Sequence, residues 1–115
     1  MTILLMLLVT EVFPANSANR FGGIGIDGVS LSDGQIKIRQ IVSGGPAHQA
    51  GIKAGDIITH IDGKATSGSD FQQMVQKRLR GVSGTPVVLR IKRVGEDKPL
   101  TFELKRRQFL IFPSK

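Results

Sequence analysis

Cysteine is absent from this chain of 115 residues, and so are tryptophan and tyrosine. Without cysteine there is no disulfide, no thiolate nucleophile and no cysteine metal site. Without tryptophan or tyrosine, six phenylalanines are the whole aromatic content. That leaves little to stack on nucleic-acid bases. Histidine is scarce as well: His48 and His60 are too few for a histidine metal cluster. Acidic residues are outnumbered, 9 against 16 basic ones, for a net charge of +7. The basic residues are scattered over several predicted elements, and the densest run, Lys105-Arg106-Arg107, ends a predicted strand. A solvated edge accounts for that run better than a nucleic-acid footprint. The positive surface leaves membrane or membrane-protein proximity open as a salt-dependent attraction.

What is present is ordinary globular composition, with 40% hydrophobic residues and 14 glycines. It fits one domain with a modest core. The apolar run Ile3–Val9 is too short to span a bilayer. With the small residues Ala15-Asn16-Ser17-Ala18 after it, it has the pattern of a secretory signal, although the usual basic start is missing. Residues 1–18 therefore read as a signal-like or flexible apolar segment, 19–108 as the domain and 109–115 as an apolar tail. The expected location is periplasmic or otherwise extracytoplasmic.

Along the domain, residues 25–31 form a strand candidate that ends in a turn at the Asp33-Gly34 pair. Ile36 and Ile38 alternate with Lys37 and Arg39, so the next strand has one buried face. The alternation breaks at Ile41-Val42, which predicts a bulge or bend there. Pro46 suits the start of a short helix and Gly51 its end. Residues 56–61 are a third strand. Ser69 and Gln72 fit a capping box for a second helix running to about Arg80. Its apolar residues Phe71, Met74, Val75 and Leu79 fall on one face at α-helical spacing. Residues 85–93 and 99–107 make a hairpin around Gly95-Glu96-Asp97-Lys98. A symmetric turn sets Val94 against Pro99, Ile91 against Phe102, Leu89 against Leu104 and Arg90 against Glu103, the last pair worth about 0.2–1 kcal/mol.

The glycine-rich loop Gly23-Ile24-Gly25-Ile26, then Gly-Gly-Pro-Ala-His-Gln-Ala-Gly-Ile (44–52), then Gly-Asp-Ile-Ile-Thr-His-Ile-Asp-Gly (55–63), an amphipathic helix and a hairpin stand in one order. This order resembles a PDZ domain of the bacterial type found in carboxyl-terminal processing proteases and related exported serine proteases, over roughly residues 21 to 107. The resemblance implies a mostly β fold with two helices (α+β), a small, partly open barrel or sandwich of five to six strands in the bacterial, permuted order. It implies non-catalytic binding of free polypeptide C-termini by strand addition, with no cofactor, no metal and no nucleic acid, in a monomer or weak oligomer. The amides of Ile24, Gly25 and Ile26 would hold the peptide carboxylate, since consecutive amides in a glycine-rich turn can converge on an anion. Arg20 would add attraction from upstream. Phe71, Met74, Val75 and Leu79 would wall the groove, Met74 chiefly as core. Apolar residues are then expected at the peptide's last position and two before it.

The alternative is a regulatory or substrate-recognition segment of a larger processing protease. In that family a serine–lysine pair lies downstream of the PDZ region, and only residues 108–115 follow the last predicted strand here. Other constellations are weaker. His60, Asp62 and Ser67 or Ser69 suggest a triad, but they fall in a strand and loop with no nucleophile elbow. The segment Gly-Ile-Gly-Ile-Asp-Gly is followed by a strand instead of the helix a dinucleotide site needs. Asp33, Asp56, Asp62 and Asp70 lack calcium-loop spacing.

Overall fold

The computed structural model describes residues 21–108. The expectations for residues 1–18, for Arg20 and for the tail 109–115 lie outside them. The described chain runs β1 (Phe21–Gly22), β2 (Ile26–Ser30), β3 (Ile36–Ile41), α1 (Pro46–Ala50), β4 (Ile57–Ile61), β5 (Lys64–Ala65), α2 (Phe71–Gln73) continued by a π-helical turn (Met74–Leu79), β6 (Gly81–Val82), β7 (Pro86–Lys92) and β8 (Leu100–Lys105). An open antiparallel sheet of six strands has the order β2-β3-β4-β7-β8, with β5 paired to β4, and β1 pairs with β6 in a separate ribbon. The fold is mostly strand with two helices, as expected.

Alternation builds the sheet's inner face. Ile36 and Ile38 are fully buried on β3, Val87, Leu89 and Ile91 on β7, and Ile58 and Ile61 on β4. Met74 and Leu79 from the second helix close over them. Pro46 opens α1 and Gly51 ends it in the left-handed region at φ 94°. The sharp turn from β4 to β5 comes from Asp62-Gly63, with φ of 51° and 83°. Positive φ at both central residues of a two-residue hairpin loop is the geometry that matches strand twist. The Asp62 carboxylate then accepts from the Val88 amide at 2.8 Å.

Four local expectations are corrected. The bulge lies on β3 at Arg39, because Asp27 pairs with Gln40 while Gly28 pairs with Ile38. The exposed pair Arg39–Asp27, at 2.7 Å, sits beside it. The second helix is capped by Asp70, whose carboxylate accepts from the Gln73 amide at 3.0 Å. Ser69 instead donates to the Ala65 carbonyl, so the Ser69–Gln72 box does not form. The hairpin register is displaced by two residues: Leu89 faces Phe102, Arg90 faces Thr101 and Glu103 faces Val88. The connection runs over residues 93–99, longer than the expected 95–98, and opens on a turn closed by the Glu96 amide on the Arg93 carbonyl, with Gly95 at φ 90°. A shift of two keeps every side chain on its face, so hydrophobic pattern alone could not detect it.

The fourth correction concerns the basic run. Arg106 is part-buried and donates to the carbonyls of Leu79, Arg78 and Pro86 and to the Thr85 hydroxyl. Arg107 donates to the Gly44 carbonyl, and its backbone bridges Gly23. Arg106 is thus a structural clasp at the end of the second helix, while Lys105 and Arg107 are exposed, so the expectation of a solvated edge fails at Arg106.

Candidate functional site

Among the described residues, strand β2 is one edge of the six-stranded sheet and β8 the other. An edge strand leaves alternate backbone groups without a ladder partner. Which ones can be worked out from its neighbours. Leu31 bonds across to Gln35, whereas Ile38, which faces Gly28, gives its amide to Asp56 and its carbonyl to Gly55. Antiparallel pairs alternate between bonded and non-bonded. The backbone groups of Ile26, Gly28 and Ser30 therefore point to the open edge.

The loop before β2 is held from behind. The Gly23 carbonyl accepts from Arg107 at 2.9 Å, the Ile24 carbonyl from Ala47 at 2.9 Å and the Gly25 carbonyl from Val42 at 2.9 Å. No peptide bond among the described residues is cis. In a trans peptide the N–H points opposite to the carbonyl it shares a plane with. The amides of Ile24, Gly25 and Ile26 are thus each turned away from an anchored carbonyl. Among the described residues the Ile24 and Gly25 amides donate to nothing. Gly25 sits at φ 80°, a conformation that strains other residues. Gly23 differs: its amide is taken by the Arg107 carbonyl at 3.1 Å, so it serves the scaffold and has no donor to offer a carboxylate.

Beside the loop lies a cleft of about 200 Å³ between β2 and the second helix. Ile26, Phe71, Val75 and Leu79 line it, together with Asp27, Gly28 and Ile36. Four residues named from the sequence are thus brought together. Met74 is not among them; at 2% exposure it belongs to the core. The Ile24 side chain is buried as well, and only its backbone faces the loop. The helix ends in a wider, π-helical turn, in which the Arg80 amide bonds to the Val75 carbonyl, five residues back.

Sequence reasoning missed Gly28 and Ile36 as groove residues because only strand pairing sets them under the helix. It missed Arg106 because a basic residue at a strand end carries no signal of its three carbonyl partners. The suggested triad is not assembled. Asp62 is engaged with Val88, Ser69 with Ala65, and His60 Nδ1 lies 3.0 Å from the Thr59 hydroxyl. His48 is exposed, and its Nδ1 accepts from the Gly44 amide. Among the described residues no group of three or more His, Asp or Glu could hold a metal ion. None of their helices is long and apolar enough to cross a membrane.

A family profile described as "PDZ domain" matches residues 37–93. The carboxy-terminal-processing protease of Bartonella bacilliformis is 41% identical over 91 residues, which is 79% of this chain and 20% of that protein. The carboxy-terminal processing protease CtpB of Bacillus subtilis is 39% identical over 88 residues, 76% of this chain and 18% of that protein. The chain thus spans about a fifth of the length of these relatives. The crystal structure of the PDZ domain of the carboxy-terminal protease from Vibrio cholerae, in complex with peptide, superposes with a TM-score of 0.69 at 26% identity. That match covers 79% of this chain and 98% of the other. The chain belongs to the PDZ-domain family and is homologous to the non-catalytic PDZ part of carboxy-terminal processing proteases.

Proposed function

We propose that this domain binds the free carboxyl end of an extended polypeptide, which adds to the open edge of β2. The observation that carries the reading is the loop 23–26. Three carbonyls there are anchored inward, at Arg107, Ala47 and Val42, and three amides are turned outward at the head of an unpaired strand edge. A carboxylate accepts such amides in charge-assisted bonds. The following residues of the peptide gain main-chain bonds from Ile26 and Gly28, in the manner of strand addition. The last side chain enters the apolar space of Ile26, Val75 and Leu79, and the side chain two before it meets Phe71. Phenylalanine offers a hydroxyl no hydrogen bond, so apolar residues are favoured at both places.

A second reading concerns the setting. The relatives matched are proteases several times longer than this chain. In such a protein the groove would recognise substrate ends for a separate catalytic domain. The signal-like pattern of residues 1–18 supports an extracytoplasmic site for that work.

The test compares a fluorescein-labelled peptide ending in Phe-Ala-Val with its amidated form, by fluorescence anisotropy on the full chain. Hydrogen bonds to a charged group contribute about 1.5–3 kcal/mol. Amidation should therefore weaken binding roughly 10- to 100-fold. Equal affinities would refute the carboxylate site.

A further inference from the structure

We infer that Gly28 sets the depth of the groove and makes it select a large aromatic side chain at the third residue from the peptide's end. The inference rests on strand addition at β2 and goes on to assign what fills the cleft. A peptide whose carboxylate sits at the loop must run towards that loop, while β2 runs away from it. The pairing is then antiparallel. With the last residue opposite Ile26, the third from last is opposite Gly28.

Gly28 is one of the cleft's lining residues, and its side of the strand faces the second helix. A Cβ built at this position would meet Ile36 Cγ2 at 2.7 Å. That is closer than real contacts allow, and Ile36 is a fully buried, β-branched side chain with little freedom to move. The absence of a side chain therefore does two things. It lets β2 lie close over β3, and it leaves the Ile36 side chain as the floor of the cleft. Glycine inside a strand is otherwise unfavourable and marks a place of close approach. Phe71, half-buried against the core, forms the opposite wall. A small side chain at the third peptide position would leave the space between Phe71, Gly28 and Ile36 unfilled. A phenyl ring fills it and stacks against Phe71.

Two variants bracket the depth. Gly28→Ala raises the floor and Ile36→Val lowers it. Kd is measured on the full chain for free-carboxylate peptides ending in Phe-Ala-Val, Ala-Ala-Val and Trp-Ala-Val. The parent should prefer Phe-Ala-Val over Ala-Ala-Val by about 10-fold. Gly28→Ala should reduce that ratio to near unity. Ile36→Val should move the preference from Phe towards Trp. A parent without preference, or a ratio unchanged in the folded Gly28→Ala protein, overturns the assignment. Should Gly28→Ala fail to give a cooperative thermal melt, Ile36→Val decides, and an unchanged Trp-to-Phe ratio overturns it. Carboxylate-dependent binding with unaltered ratios would reject the Gly28 assignment alone. Binding indifferent to amidation would reject strand addition itself.

Discussion

Asp56→Ala is expected to lower the stability of this domain by about 3 kcal/mol. Asp56 is 2% exposed. Its two oxygens take Arg93 Nε at 2.9 Å and Nη2 at 2.7 Å, and one also accepts the Lys53 amide at 2.9 Å. Arg93 reaches on to the Gly51 carbonyl, so one ion pair ties α1, the start of β4 and the end of β7. Removing the carboxylate leaves a guanidinium whose side chain is 21% exposed and an amide without its acceptor. Partial exposure of the arginine keeps the loss at the low end of what broken buried pairs show. Burial pushes the Asp56 carboxyl up, but the Arg93 bonds and the Lys53 amide outweigh it and hold it below the ordinary value of 3.8. A depressed folded value means that the contribution is complete above pH 3.8 and is lost as pH falls through the lower folded value. The gap between parent and variant should therefore shrink below pH 3.8. Urea midpoints at several pH values measure it. A neutral-pH gap under about 0.5 kcal/mol would show that this pair is a bystander.

Arg106→Met is expected to cost about 2 kcal/mol, through loss of the donors that satisfy carbonyls at the end of the second helix. The last carbonyls of a helix have no partner within it. Here Leu79 and Arg78 give theirs to Arg106 Nε and Nη2, at 3.0 and 2.7 Å. Lysine cannot replace this fork, because one ammonium does not span the same partners. Gly81 is part of the fit. A Cβ there would lie 2.8 Å from Arg106 Nε. Gly81→Ala should therefore destabilise the parent clearly and the Arg106→Met protein much less. Urea unfolding of the four proteins gives the coupling, expected at about 1 kcal/mol or more. Additive effects would refute the clasp. Leu79 also lines the cleft, so Arg106→Met should weaken binding of the Phe-Ala-Val peptide as well.

These two clasps show where reading the chain stops. Asp56 and Arg93 are 37 positions apart, and Arg106 lies 27 from Leu79. No local pattern marks either pair, because charged residues at strand ends look alike until the fold brings them together. The hairpin register was out of reach for a related reason. Faces repeat every two residues, so a displacement of two leaves the hydrophobic pattern intact, and only the Arg93–Glu96 turn decides between the alternatives. The same limit applied to Met74. Its spacing from Phe71 and Val75 puts it on their broad apolar face, and only packing shows that it sits in the core while Phe71, Val75 and Leu79 line the cleft.

Short-range chemistry was legible. The Asp33-Gly34 turn, Pro46 and Gly51 at the ends of α1, and the alternation of β3 and β7 each act within a few residues, where backbone sterics and burial period dominate. The sequence by itself determined the five longer strands and the two helices, the PDZ character of their order and the loop whose glycine permits outward amides, but not the short strands β1, β5 and β6. Tertiary structure alone decided which amides of this loop are turned outward. Arg107 takes the one from Gly23, and the anchors at Ala47 and Val42 turn out those of Gly25 and Ile26. It also decided how deep the groove is, since a missing side chain at Gly28 matters only because strand pairing sets Ile36 beneath it. Local preference acts through neighbours in the chain, whereas donors and cavities are made by neighbours in space.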